Sequence, residues 1–250
     1  MPYALVQCHL TIPDVELLKR AFRSSGCLAP MDAPMIAKDA YGILVRHLNR
    51  EDAYQLQASL SGEGLETEVV DESQLPQLPV RKWVRHIAVR EEGLVVCDPC
   101  ERKIVLPWEA LWIVSAGLVQ EVDFTRVSPV FSTHGAEMSG LRSTSIPSER
   151  QVSMWLSDLF IQGGSLRFSF RARDLYFMDP EQKSSPDPDL AFLELVRHIS
   201  GRATQAALNR VSYSLREGHS DAITYPSRNA YNEELLWILW RFRKAGYGLR

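Results

Sequence analysis

The stretch from about Asn229 to Ala245 reads as a helix that is apolar nearly all the way round, with Leu235, Leu236, Trp237, Ile238, Leu239, Trp240 and Phe242 covering most of its circumference. A helix resting on one core needs a single apolar stripe and leaves the rest to water. This one must be covered on a second side as well, by the N-terminal part of the chain, by another copy of it, or by a partner. Glu233 and Glu234 near its start and Arg241, Arg243 and Lys244 near its end match the helix macrodipole.

The helix has a sheet to close. From Trp83 to Phe124 the chain reads as successive strands, WVRHIAVR, LVVCD, KIVLPW and LWIVSAGLVQEVDF, broken at Glu91-Glu92-Gly93 and Asp98-Pro99. β-Branched and aromatic residues dominate and turn formers sit at the breaks. Residues Thr125 to Arg150, rich in Ser, Thr, Gly and Pro, show no sustained period and predict a long loop. Met154 to Ile161 and Leu166 to Phe177 then form a hairpin about Gly163-Gly164. In its second strand Leu166, Phe168, Phe170 and Ala172 alternate with Arg167, Ser169, Arg171 and Arg173, so one face is core and the other carries guanidiniums. Asp189 to Ser200 predicts a helix, and Ala203 to Leu215 its continuation after Gly201.

The N-terminal part has a different texture. Tyr3 to Leu10 suits a strand, and Asp14 caps a helix with Val15, Leu18, Ala21 and Phe22 on one face, ending near Gly26. A short helix over Asp32 to Ala40, a strand over Gly42 to His47, a helix capped by Asn49 and a strand over Leu65 to Val70 follow. This β-α-α-β-α-β order predicts a three-stranded sheet with helices on one face. The chain therefore reads as α+β: residues 1–73 as a small α/β sandwich, 74–80 as a linker holding Pro76 and Pro79, and 81–250 as a bent antiparallel sheet or barrel with C-terminal helical closure.

Two resemblances attach to these patterns. The run from Gly42 through Asn49-Arg50-Glu51-Asp52-Ala53, Leu56, Leu60 and Gly64 to Glu68-Val69 resembles the C-terminal domain of the bacterial ribosomal stalk protein. In that family a lysine-rich helical surface receives translation factors; this segment has only Lys19 and Lys38, so that role does not carry over. The hairpin at Glu92-Gly93, the Leu106-Pro107-Trp108 strand end and the terminal Trp237/Trp240 helix resemble the pleckstrin-homology-like superfold. Its lipid-binding members hold inositol phosphates on a basic first hairpin, whereas Arg90-Glu91-Glu92-Gly93 here would repel them.

Composition narrows the function classes. With 250 residues and 45% hydrophobic content the chain can build a large core without staples. A formal charge of -3 gives no global field to gather nucleic acid or an anionic membrane. Nothing near Met1 resembles a signal peptide, and no run approaches the ~20 apolar residues that span a bilayer. Four cysteines are too sparse for a disulfide scaffold, which points to a reducing, cytoplasmic setting.

Chemistry-bearing residues are few. Cys97 and Cys100 have the spacing of half a zinc site, yet no second close pair exists, and Asp98-Pro99 between them equally suits a plain hairpin turn. A redox reading of the pair wants a helix N-terminus, and it lies between strands. His134 with Ser132, Thr133 and Glu137 permits a hydrolase under the 125–150 loop, and Asp187 with Asp189 permits a hard cation or simple turn chemistry. Phosphate-loop, dinucleotide, HExxH and GxSxG patterns are missing. Arg167, Arg171 and Arg173 read either as a solvated strand face or as a surface for carboxylates or phosphates. The sequence thus predicts a non-catalytic cytoplasmic module that binds a protein partner, itself or a ligand, without cofactor, nucleic acid or membrane. A metal-binding or redox protein using Cys97 and Cys100, with zinc as the candidate metal, and a hydrolase are the alternatives.

Overall fold

Strand β1 (Tyr3–Gln7) is the centre of a three-stranded antiparallel sheet, between β2 (Ile43–Leu48) and β3 (Thr67–Asp71). Helices α1 (Val15–Ser25), α2 (Ala33–Asp39) and α3 (Arg50–Gly62) connect the strands. Their ends are set locally. The Asp14 carboxylate accepts the Glu16 N–H, Gly26 ends α1 at φ +66°, and the Asn49 side chain accepts the Asp52 N–H at 2.8 Å. Leu18 and Phe22 of α1 and Leu56 and Leu60 of α3 pack with Leu5 and Leu44 on one face of the sheet, as the spacing predicts. The computed structural model describes residues 1–98, 100–126, 147–179, 185–219 and 223–245.

The rest of the chain departs from a single bent sheet. Strands β5 (His86–Val89), β6 (Gly93–Cys97) and β7 (Lys103–Pro107) form an antiparallel meander, and β11 (Tyr176–Phe177) joins β5 in parallel. A second, six-stranded sheet is built on β8 (Leu111–Arg126), β9 (Pro147–Ile161) and β10 (Leu166–Arg171), which are antiparallel. Strand β4 (Arg81–Trp83) runs parallel to β10, and β12 (Ala207–Leu208) and β13 (Thr224–Tyr225) run parallel to β8. Among the described residues neither sheet closes on itself: in place of the expected barrel stand two open sheets with short parallel strands at their edges.

Two further expectations change. Residues 125–126 and 147–150, expected to belong to the 125–150 loop, are paired strand, Arg126 standing opposite Pro147. Ser132, Thr133, His134 and Glu137 lie outside the described residues. The predicted continuation helix over Ala203 to Leu215 is broken: α4 (Pro188–Arg202) ends at Ala203, and α5 (Arg210–Arg216) starts afresh with Asn209 as its cap. Asn209 explains the break. Its amide accepts from Ala116 N–H at 3.1 Å and donates to Ala116 C=O at 2.7 Å, imitating a strand residue beside β8 while it accepts the Ser212 N–H at 3.0 Å.

Helix α6 (Arg228–Lys244) is what joins the two regions. Ala230, Tyr231, Leu235, Ile238 and Leu239 belong to the core of the six-stranded sheet. Trp240, with Leu236 and Trp237, covers Ala4, Val6, Ile43 and Val70 on the other face of the N-terminal sheet, together with Leu75 shortly after β3. The second side of the terminal helix is therefore covered from within the chain. The six-stranded sheet is likewise buried on both faces, since Phe192 of α4 meets Trp155 and Phe170 on the side away from α6. Glycine 117 is needed at the α6 face, where a Cβ would stand 2.5 Å from the Tyr225 ring and 3.2 Å from Tyr231.

Candidate functional site

The arginine face of β10 does not form a surface. Register places Ser115, Asp158 and Ser169 side by side across β8, β9 and β10, with Arg167 one diagonal step away and Arg81 beside it on β4. This row faces α6, and Asp158 is 0% and Arg167 3% exposed. Arg167 grips Asp158 with both arms of its fork, Nε to Oδ1 at 2.9 Å and Nη2 to Oδ2 at 2.7 Å. The Ser169 hydroxyl also donates to Oδ1, and Arg81 Nε stands 3.5 Å from it. Arg81 and Arg167 each donate to Asn232 Oδ1 of α6, at 3.0 and 3.1 Å.

Burial by itself would raise the Asp158 carboxyl. The guanidiniums of Arg167 and Arg81 and the Ser169 hydroxyl outweigh it and hold the group below the usual carboxylate range. A second buried anion lies on α6 itself. Glu234 accepts from the Tyr225 hydroxyl at 2.7 Å and pairs with Arg210 Nη2 at 3.1 Å, and burial followed by the Glu234 charge pushes the Tyr225 phenol well above its ordinary value. Glu233 and Glu234, adjacent in sequence, thus serve as tertiary partners: Glu233 pairs with Arg46 of β2 at 2.7 Å.

The other two arginines separate from Arg167. Arg171 is half-buried, 4.4 Å above the Trp83 ring and 3.7 Å from Asp174, while Arg173 is exposed in the turn after β10. The three are therefore not presented together to solvent.

Cys97 is buried at the end of β6, opposite His86 on β5, and Cys100 is exposed. Asp98 organises the turn between them: its carboxylate accepts from the N–H of Cys100 at 2.8 Å and of Arg102 at 3.0 Å, and from Arg102 Nε at 2.7 Å. Among the described residues no group of three or more His, Cys, Asp or Glu gathers to hold a metal ion. We expect freshly purified protein to carry zinc far below one equivalent. Elemental analysis checks this, and a stoichiometric value would restore the pair as half of a site.

Exposed arginines do converge elsewhere. Arg197, His198 and Arg202 of α4 and Arg216 of α5 line an open cavity of about 580 Å³, together with Glu194 and Gly201. Arg197 and Arg202 make no ion pair with any described residue; Arg216 pairs with its neighbour Glu217 at 3.0 Å. Partial burial and then the Arg202 charge push the His198 imidazole below its ordinary value, and its ring lies 6.4 Å from the Trp108 ring, centroid to centroid. Two further cavities, of about 550 and 350 Å³, have mixed linings without such a bias.

All of this groove's lining but Arg216 was readable. Glu194, Arg197, His198, Gly201 and Arg202 fall at i, i+3, i+4, i+7 and i+8, the polar stripe of α4 opposite Phe192, Leu195, Val196 and Ile199. Arg216 reaches the stripe only because Asn209 restarts the chain as a separate helix.

These observations define the class: a mixed α+β protein with an ion cluster buried at the centre of its larger sheet and an arginine-lined groove on its surface. No family model matches the chain, and no curated protein or solved structure matches it.

Proposed function

We propose that the chain is a non-catalytic binding module of the cytoplasm and that the groove between α4 and α5 is where it takes its ligand or partner. The observation that carries this is the meeting of Arg197, His198, Arg202 and Arg216 on one open cavity, two of these guanidiniums having no acid partner among the described residues. The lining holds no Ser, Thr or Cys nucleophile and a single carboxylate, Glu194, so it is equipped to hold a ligand rather than to transform one. The pleckstrin-homology-like resemblance agrees by analogy alone, since such units commonly serve as docking platforms. Among the described residues no helix is long and apolar enough to cross a membrane.

The test is a charge reversal that spares the fold. Arg197 and Arg202 are exposed and make no ion pair with any described residue, so Arg197→Glu with Arg202→Glu should shift stability by no more than about 1 kcal/mol. Native mass spectrometry of wild-type protein taken from its own cells should show a bound species that the double variant lacks. Identical spectra from the two proteins, both folded, would sink the assignment of this groove.

A further inference from the structure

Resting on the ligand-binding reading, we infer that the groove takes a phosphate-bearing ligand carrying two negative charges, gripped by Arg197, Arg202 and Arg216 with His198 completing the charge balance. Guanidinium is planar, always charged and forked, and it matches the tetrahedral oxygens of a phosphate two at a time. Arginine supplies every permanent positive charge here; the groove has no lysine. The open cavity, about 580 Å³, has room beyond a single phosphate group, so the phosphate would be one end of a larger molecule.

Charge complementarity sets the valence. As formal charges, the three guanidiniums stand against Glu194 of the lining, which is paired with none of them, and Glu217, which Arg216 engages; the sum is one positive charge while His198 is neutral. A proton on His198 makes it two, the charge of a phosphomonoester near neutral pH. The groups facing His198 are Arg202, Arg197 and Glu194 on its own helix, Arg216 across the groove on α5, and the uncharged Trp108 ring. Partial burial and Arg202 disfavour that proton, and a bound dianion reverses the field.

The groove also argues against an extended polyanion. Glu194 and Glu217 interrupt the positive surface, and the whole chain carries a net charge of -3, whereas a nucleic acid tracks a continuous basic stripe.

The experiment follows the His198 imidazole by NMR, assigned with His198→Gln, while the full chain is titrated with phenyl phosphate. Citrate serves as the carboxylate control, and phosphatidylcholine vesicles containing phosphatidic acid supply the same phosphate from a lipid. Phenyl phosphate is expected to bind, to raise the His198 pKa, and to lose at least tenfold in affinity in Arg197→Glu with Arg202→Glu. Arg197→Lys with Arg202→Lys should keep part of the affinity, because charge survives while the fork is lost. Capture by the vesicles through the same arginines, with no response to phenyl phosphate, would support the phosphate chemistry and place its source in a lipid headgroup. Binding of citrate at equal or higher affinity would overturn the phosphate assignment and leave the ligand-binding reading standing. Silence from all three probes, in a protein that still loses a native bound species on charge reversal, would overturn the ligand class alone. Silence together with unchanged native spectra would overturn both.

Discussion

Replacing Asp158 by leucine is expected to destabilise the protein by about 3–5 kcal/mol and to lower its melting temperature by roughly 10 °C. The cost comes less from lost attraction than from what stays behind. Arg167, 3% exposed, and Arg81, whose Nε already lacks a hydrogen-bond partner, would face α6 with Asn232 as their shared acceptor and no anion between them. A buried cation without its counter-charge is expensive, whereas removing the whole set leaves ordinary apolar packing. Asp158→Leu combined with Arg167→Met and Arg81→Met should therefore recover most of the stability lost in the single variant. If the triple variant is as unstable as the single one, the penalty lies in packing and the electrostatic account is wrong.

The same site sets an acid dependence. Its neighbours hold the Asp158 carboxyl below its unfolded value, so the stabilisation is complete above about pH 4 and is lost as the pH falls through the lower folded value. The difference in melting temperature between wild type and Asp158→Leu should accordingly be constant from pH 5 to 7 and narrow below about pH 4.

The second large effect is expected at Gly42, where Ala should cost about 3 kcal/mol or more. Gly42 has φ +103°, and a Cβ there would lie 2.5 Å from Trp237 Cγ and 2.8 Å from Cδ1. Trp237 cannot easily step aside, because its Nε1 donates to Gln7 C=O at 2.7 Å and Gln7 is itself tied to the Gly42 N–H at 2.9 Å. Gly26 is the control. It also has a positive φ, +66°, but a Cβ there meets nothing within 4 Å, so Gly26→Ala carries only the backbone strain of about 1 kcal/mol. Denaturant unfolding of the two variants isolates the contact between α6 and the N-terminal sheet. Equal losses would mean that α6 is not seated tightly there.

Much of the local structure was legible because its causes are local. Asp14 and Asn49 announce their helices by offering an acceptor to the first free N–H groups, and Gly163-Gly164 marks the hairpin by adopting φ values of +69° and +79°. The breaks in these readings come from long-range partners. The helix expected to continue stops at Arg202 and a new one starts at Asn209, whose amide is held by two hydrogen bonds to Ala116, distant in sequence. Arg126 and Pro147 continue a ribbon through residues of low strand propensity because the partner strand is already aligned.

The candidate site divides in the same way. Alternation along β10 correctly separated Phe168 and Phe170 from Arg167, Ser169 and Arg171, but a period of two only says that a strand has two faces. Which face meets water depends on what else arrives. Here α6 arrives on the arginine side, so Arg167 becomes a buried counter-ion, and the arginines that line an open cavity together are those of α4 and α5.

By itself the sequence determined that the chain is α+β, where its capped helices begin, and that its last helix needs cover on two sides. Those properties follow from side-chain pattern and capping chemistry within a few residues. Only the tertiary structure decided that the cover is the chain's own N-terminal sheet, that Asp158, Arg167 and Arg81 share one buried cluster, and that Arg216 completes a groove begun by Arg197, His198 and Arg202. Burial and charge proximity are properties of space. They depend on which surfaces meet, and no spacing along one strand or helix contains that information.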